Sequence, residues 1–198
     1  MHGLVRSLWV GWVGHDERVD ELTRLALAAG GGDRVAMTAF VRLTQPDVWR
    51  LCANLGDPDS ADDLCQETYL RALPALQTFR GDSSARTWLL SVARYTCADA
   101  VRSRTRYRRM VERVANRRGT ALHEPSCSGR VELDALVESL DRDRREAFVL
   151  TQVLGLRYDE AAEVCGCPVG TIRSRVARAR DDLVGAMAEH GDIAARGC

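Results

Sequence analysis

The sequence predicts an all-α protein made of two small helical domains joined by a flexible basic linker. Three observations carry this. Apolar residues recur at the 3.6-residue helical period on both sides of the chain's middle, and no stretch shows the alternation of a strand. A chain of 198 residues with 45% apolar content has room for two small cores. Between them, residues 102–130 hold nine Arg against two Glu, with Gly119, Pro125 and a Ser-Cys-Ser-Gly run, which reads as a linker with a basic start. The divisions expected are a loose tail over 1–20, a first domain over 21–106, a linker over 107–130, a second domain over 131–190 and a tail over 191–198.

In the tail, Val5, Leu8, Trp9 and Trp12 share a helical face, but termini are commonly unstructured. Leu22, Leu25, Ala26 and Ala29 then mark a first helix, stopped by Gly30-Gly31-Gly32. Asp33 suits the cap of the next, and Pro46 suits the first turn of a further helix through Val48, Leu51, Cys52 and Leu55. Asp57-Pro58-Asp59 is a turn, and Ser60-Ala61-Asp62-Asp63 resembles a capping-box start with acids in the first turn. That helix runs to Leu73 or Leu76. A loop over Phe79–Ser83 follows, and Ser84 caps a long helix through Trp88, Val92 and Ala100 that reaches towards Arg108–Val114.

Beyond the linker, Leu133, Leu136, Val137 and Leu140 form one stripe. Asp141 caps a second helix, ended at Gly155. A short helix from Tyr158 to Cys165, a turn at Gly166-Cys167-Pro168 and a last helix from Val169 to Met187 make a helix-turn-helix. Gly166 suits a turn of positive φ, and Ala161 and Ala162 let the two helices approach. With Ile172, Val176 and Ala179 facing inward, Arg173, Ser174, Arg175, Arg178 and Arg180 are left outward or at the flanks. The N-terminal part of such a helix reads base edges in the major groove, and further Arg residues hold phosphates. A merely solvated face is the bland reading. Against it, residues 131–190 carry eight Arg and twelve acids, yet few acids fall on this helix before Asp181.

The whole chain balances 28 basic residues, all Arg, against 28 acids, so it is no general coat for nucleic acid. Its longest apolar stretch, Leu8–Val13, is far short of the roughly 20 residues that span a bilayer. Arg6 interrupts it and no small-residue cleavage site follows, so neither membrane insertion nor a signal peptide is expected, and the protein is expected to be cytoplasmic. Of Cys52, Cys65, Cys97, Cys127, Cys165, Cys167 and Cys198, only Cys165 and Cys167 are close, without a second pair, and His2, His15, His123 and His190 are scattered. No metal or other cofactor is expected, and the thiols read as small buried hydrophobes.

Three motifs stand in an order that resembles one family. Asp59-Ser-Ala-Asp-Asp-Leu-Cys-Gln-Glu-Thr-Tyr-Leu-Arg-Ala72 resembles the second conserved region of sigma factors of the extracytoplasmic-function (ECF) group of the sigma-70 family. Phe79-Arg-Gly-Asp-Ser-Ser-Ala-Arg-Thr-Trp-Leu-Leu-Ser-Val-Ala-Arg94, with Asp99 and Arg102, resembles the segment that follows, and Gly166–Arg180 resembles their fourth region. The resemblance covers about residues 21–187 and, among subgroups, is greatest to the mycobacterial sigma C type. It implies an alternative sigma factor, not an enzyme, whose partners are core RNA polymerase, promoter DNA and, in many members, an anti-sigma protein.

The resemblance also assigns residues. Asp63, Gln66, Glu67 and Leu70 share a face at i, i+3, i+4 and i+7, acidic with an apolar end, and the family sets it against the clamp coiled coil of the largest polymerase subunit. Arg80, Ser83, Arg86 and Arg94 are the candidates for the minus-ten element, where an unstacked base must be trapped, while Trp88 is expected in the core. Base contacts at the minus-thirty-five element fall to Arg173, Ser174 and Arg178; Arg175 and Arg180 hold phosphates or pair with acids. Departures are Tyr95 where many members have Asn, Ala177 where relatives are bulkier, and Arg157 in place of a Ser or Thr cap, a loss of about 1 kcal/mol. Two other classes stay open from the residues alone. A regulator working without polymerase leaves Asp59–Ala72 unexplained, and an enzyme lacks a nucleophile–base pair or phosphate loop.

Overall fold

The computed structural model describes residues 15–56, 58–118 and 132–196, all of them helices and short connections with no strand among them. The N-terminal lobe holds α1 (His15–Gly30), α2 (Arg34–Leu55), α3 (Ala61–Ala75) and α4 (Ala85–Arg118), with single 3₁₀ turns before and after α3. The C-terminal lobe holds α5 (Glu132–Ser139), α6 (Arg142–Phe148) continued by a π-helical turn at Val149–Val153, α7 (Tyr158–Cys165) and α8 (Val169–Arg196). No described helix is long and apolar enough to cross a membrane.

Several boundaries differ from the sequence reading. The first helix starts at His15, inside the expected tail, and the last reaches Arg196 instead of stopping near Met187. Pro46 does not open a helix but lies within α2. Its missing N–H leaves the Arg42 carbonyl without its usual partner, yet both residues are exposed, so water serves it. Meanwhile α2 buries Phe40, Thr44, Val48, Leu51 and Cys52 along one side across the proline. Burying Phe40 and Leu51 alone is worth about 3–6 kcal/mol, which matches or exceeds the roughly 3 kcal/mol cost of an interior proline. The expected linker starts as helix: α4 continues through residues 107–118. The flexibility expected of the remaining linker lies outside the described residues.

The caps are partly as expected. Asp33 accepts from Val35 and Ala36 N–H, Asp141 from Asp143 N–H, and Ser84 Oγ from Thr87 N–H at 3.1 Å. Ser60 forms no capping box; its hydroxyl instead accepts from Arg104 at 3.2 Å. Arg157 cannot accept as a cap, but Glu160 supplies the reciprocal half, its carboxylate taking the Arg157 N–H at 2.7 Å. Arg145 reaches back to the Glu138 and Leu140 carbonyls at the end of α5, satisfying groups a helix end leaves open.

Phe40, Leu51, Leu76, Leu89 and Leu90 fill the first core; Leu150, Val164, Ile172 and Val176 fill the second. The lobes are not separate, for α4 packs on α7 and α2 on the π turn.

Candidate nucleic-acid and partner surfaces

Helix α3 buries Leu64, Cys65, Thr68, Tyr69 and Ala72, so the intervening positions must face out. Asp63, Gln66 and Leu70 are exposed and Glu67 is half-buried beside them. Leu70 stands 64% open, a large apolar side chain with nothing described covering it. Glu67 is not a free acid: it accepts from Arg71 at 2.7 Å, and Arg71 continues to Asp99 at 3.1 Å. Arg102 closes the chain on Asp99 at 2.5 Å and, with Arg71, holds its carboxyl below the usual range. On the neighbouring helix, Trp49 is 44% exposed and donates its indole N–H to Asp62 at 2.8 Å.

The four minus-ten candidates divide into two pairs. Arg80 and Ser83 line an open cleft of about 380 Å³ with Thr78, Phe79, Asp82 and Trp88. Trp88 is not fully in the core; it is half-buried, and its ring meets that of Phe79 at 5.1 Å, tilted by 43°. A cleft with two aromatic rings, a hydroxyl and an Arg on its wall can receive a planar base by stacking and hydrogen bonding. Gly81, at φ +77, lets the loop turn back on itself.

Arg86 and Arg94 instead point to where the lobes meet. Arg86 pairs with Asp47 at 2.7 Å and donates to the Leu154 carbonyl, also at 2.7 Å. Arg94 pairs with Glu146 at 2.7 Å, and Glu146 is only 2% exposed. Burial weakens the Arg94 guanidinium, but the hydrogen bond and charge of Glu146 outweigh it and raise its pKa. Arg94 also lies 5.5 Å above the ring of Tyr95, which is itself exposed. Sequence reasoning missed Asp47 and Glu146. Glu146 had a signal: it precedes Ala147 on the inward side of α6, where an acid needs a cation nearby.

In the helix-turn-helix, Gly166 takes φ +64, ψ +39, and its N–H closes on the α7 carbonyls of Ala162 and Glu163. Ile172, Val176 and Ala179 are buried, which fixes the rotation of α8. Arg173, Ser174, Ala177 and Arg178 are then exposed on one side. Arg173 and Arg178 have no ion pair with any described residue, while the Ser174 hydroxyl donates to the Thr171 carbonyl at 2.9 Å. Arg175 turns the other way, against Asp143 of α6 and within 3.8 Å of the Cys167 sulfur. Arg180 donates to Gln152 at 2.8 Å. Of the two roles open to Arg175, pairing with an acid is the one seen.

Cys52 and Cys97 are fully buried and Cys65 nearly so, and burial pushes the Cys65 thiol up to about 11. Burial likewise raises Cys165, at the junction of the lobes, to about 12. Such thiols are poor nucleophiles. Among the described residues no group of three His, Cys, Asp or Glu is placed to hold a metal; Cys127 and Cys198 lie outside them.

Two family models match the chain, Sigma-70 region 2 over residues 40–107 and Sigma-70, region 4 over residues 130–183. The chain is 51% identical over 177 residues to the ECF RNA polymerase sigma factor SigC of Mycobacterium tuberculosis, covering 88% of this chain and 95% of that one. Among solved structures it is similar to CnrH in complex with the cytosolic domain of CnrY, with TM-score 0.66 and 27% identity over 86% of this chain and 99% of that one. It is also similar to the sigma factor RpoE of Bartonella quintana in complex with the anti-sigma factor NepR, with TM-score 0.59 and 28% identity over 77% of this chain and 96% of that one.

Proposed function

The chain belongs to the ECF group of the sigma-70 family, and from that premise we propose which of its surfaces meets each partner. It is an alternative sigma factor that directs transcription initiation with core RNA polymerase. Sigma factors work by binding, and none of the surfaces above is assigned a catalytic step.

The observation that carries the assignment is the separation of three chemically different surfaces on one chain. The face of Asp63, Gln66, Glu67 and Leu70 meets core polymerase: its acids suit a basic helix and Leu70 supplies an apolar anchor. The cleft at Arg80 and Ser83, walled by Phe79 and Trp88, takes an unstacked base of the minus-ten element. The exposed row Arg173, Ser174 and Arg178 enters the major groove of the minus-thirty-five element.

For Arg86 and Arg94 to join the minus-ten surface they must exchange Leu154 and Glu146 for DNA. That exchange parts the lobes, so the promoter-bound chain is more open than the free one. Both solved relatives are seen with a partner protein, one named an anti-sigma factor, and a partner of that kind is proposed here too. Working with polymerase places the protein in the cytoplasm.

The test is binding of Glu67→Arg to core polymerase. Arg71 keeps Asp99 as a partner, and a helical site whose side chain is 44% open accepts Arg, so the fold survives. Affinity is expected to fall about tenfold or more, 1.4 kcal/mol or more. Unchanged affinity would show that this face is not the polymerase surface.

A further inference from the structure

We infer that Arg71 is an internal rival of core polymerase for Glu67, and that Asp99, across on α4, sets how tightly polymerase is taken by drawing that rival off. This rests on the reading of Asp63, Gln66, Glu67 and Leu70 as the polymerase surface. The two acids of that face are in different states. Asp63 is exposed and has no ion pair with a described residue. Glu67 is engaged, its Oε1 accepting from Arg71 Nε at 2.7 Å.

The spacing explains why Arg71 is there. Asp63 and Glu67 stand at i and i+4 on α3, where like charges repel. Arg71 follows Glu67 by four residues, with the acid N-terminal to the base, which is the favoured order. In the free chain it therefore relieves the repulsion between the two acids. A basic helix of the polymerase laid on this face would relieve it in the same way. Two cations, one internal and one from the partner, compete for one carboxylate.

Asp99 biases the contest. Arg71 Nη1 donates to Asp99 Oδ2 at 3.1 Å, so the guanidinium spans from α3 to α4. The other oxygen, Oδ1, accepts from Arg102 at 2.5 Å. When a basic side chain takes Glu67, Arg71 still has an acid to hold, and no unpaired cation faces the incoming helix. The four side chains are 43–59% exposed, so these bonds exchange with little desolvation. Asp99 acts through Arg71 and is a positioning residue.

The test is affinity of the full chain for core polymerase, across a salt series, for Asp99→Asn, Arg71→Gln and the two combined. Glutamine is a good helix former, and melting temperatures check that each variant is folded. Asp99→Asn is expected to weaken binding about three- to fivefold at low salt, because Arg71 then belongs to Glu67 alone. Arg71→Gln is expected to tighten it by about threefold, and the double variant to recover at least wild-type affinity. These differences should shrink as salt rises. Each change is then repeated on Glu67→Gln, where the gain from Arg71→Gln should vanish. A folded Arg71→Gln that binds as wild type or more weakly overturns the inference, since Arg71 would then be idle or would shape the face. A gain that persists without the Glu67 charge also overturns it, because local charge and not rivalry would explain it. If Glu67→Gln itself binds as tightly as wild type, the polymerase reading of this face fails and the inference falls with it.

Discussion

At the scale of single residues, chemistry on α8 is decided by direction rather than by type. Five of its side chains looked alike in the sequence, because Arg173, Ser174, Arg175, Arg178 and Arg180 all fall outside the apolar stripe. Period alone could not separate outward from flanking positions. The partners did: Arg175 is turned to Asp143 and Arg180 to Gln152, both on the neighbouring helical segment. The two classes should fail differently. Arg178→Ala is expected to relax preference at one base position of the minus-thirty-five element by about 1–3 kcal/mol, as read from binding to single-base promoter variants. Arg175→Ala is expected to leave that pattern intact and to lower stability by about 1 kcal/mol or less, since Asp143 is more than half exposed. If Arg178→Ala weakens every variant equally, it holds backbone and not a base. The buried acid at residue 146 shows the other limit of residue reading. Arg142, four residues before it, is a local partner at 3.1 Å, but its other partner Arg94 lies 52 positions away, and no local pattern links those two.

At the scale of elements, the order of helices, the Asp33, Ser84 and Asp141 caps and the left-handed glycine at the turn were legible, because each follows from one residue's own geometry. What local reading could not weigh was burial across a disfavoured residue. Pro46 reads as a helix start, yet an apolar face on both sides of it keeps α2 in one piece. Gly30 is a similar case. By propensity alone, Gly30→Ala at the end of α1 should stabilise the helix by up to about 1 kcal/mol. A Cβ there, however, would stand 2.3 Å from the Leu76 carbonyl oxygen, which belongs to backbone and cannot swing aside. The packing term is the larger. Gly30→Ala is expected to destabilise the protein by about 2 kcal/mol and to lower Tm by roughly 4–8 °C. A calorimetric Tm at or above wild type would show that α1 and the turn after α3 are not in this contact.

At the scale of the whole molecule, two helical lobes and their order were visible in the sequence, whereas their contact was not. Charge patterning marked residues 102–130 as a break, and α4 nevertheless runs on to Arg118 while its inner part packs on α7. The interface draws on Arg86 and Arg94, residues that sequence reasoning assigned to DNA. Both assignments hold together only if the chain works by opening onto polymerase and promoter, since a closed chain has Arg86 and Arg94 occupied. The claim at the centre is that this protein acts through polymerase, not alone. The direct measurement is run-off transcription by core polymerase, with and without the protein, on a library of genomic promoter fragments. Discrete transcripts that need both components, from fragments sharing one minus-ten and one minus-thirty-five sequence, are the predicted result. Transcripts unchanged by the protein, together with tight sequence-specific binding to those fragments in the absence of polymerase, would contradict it.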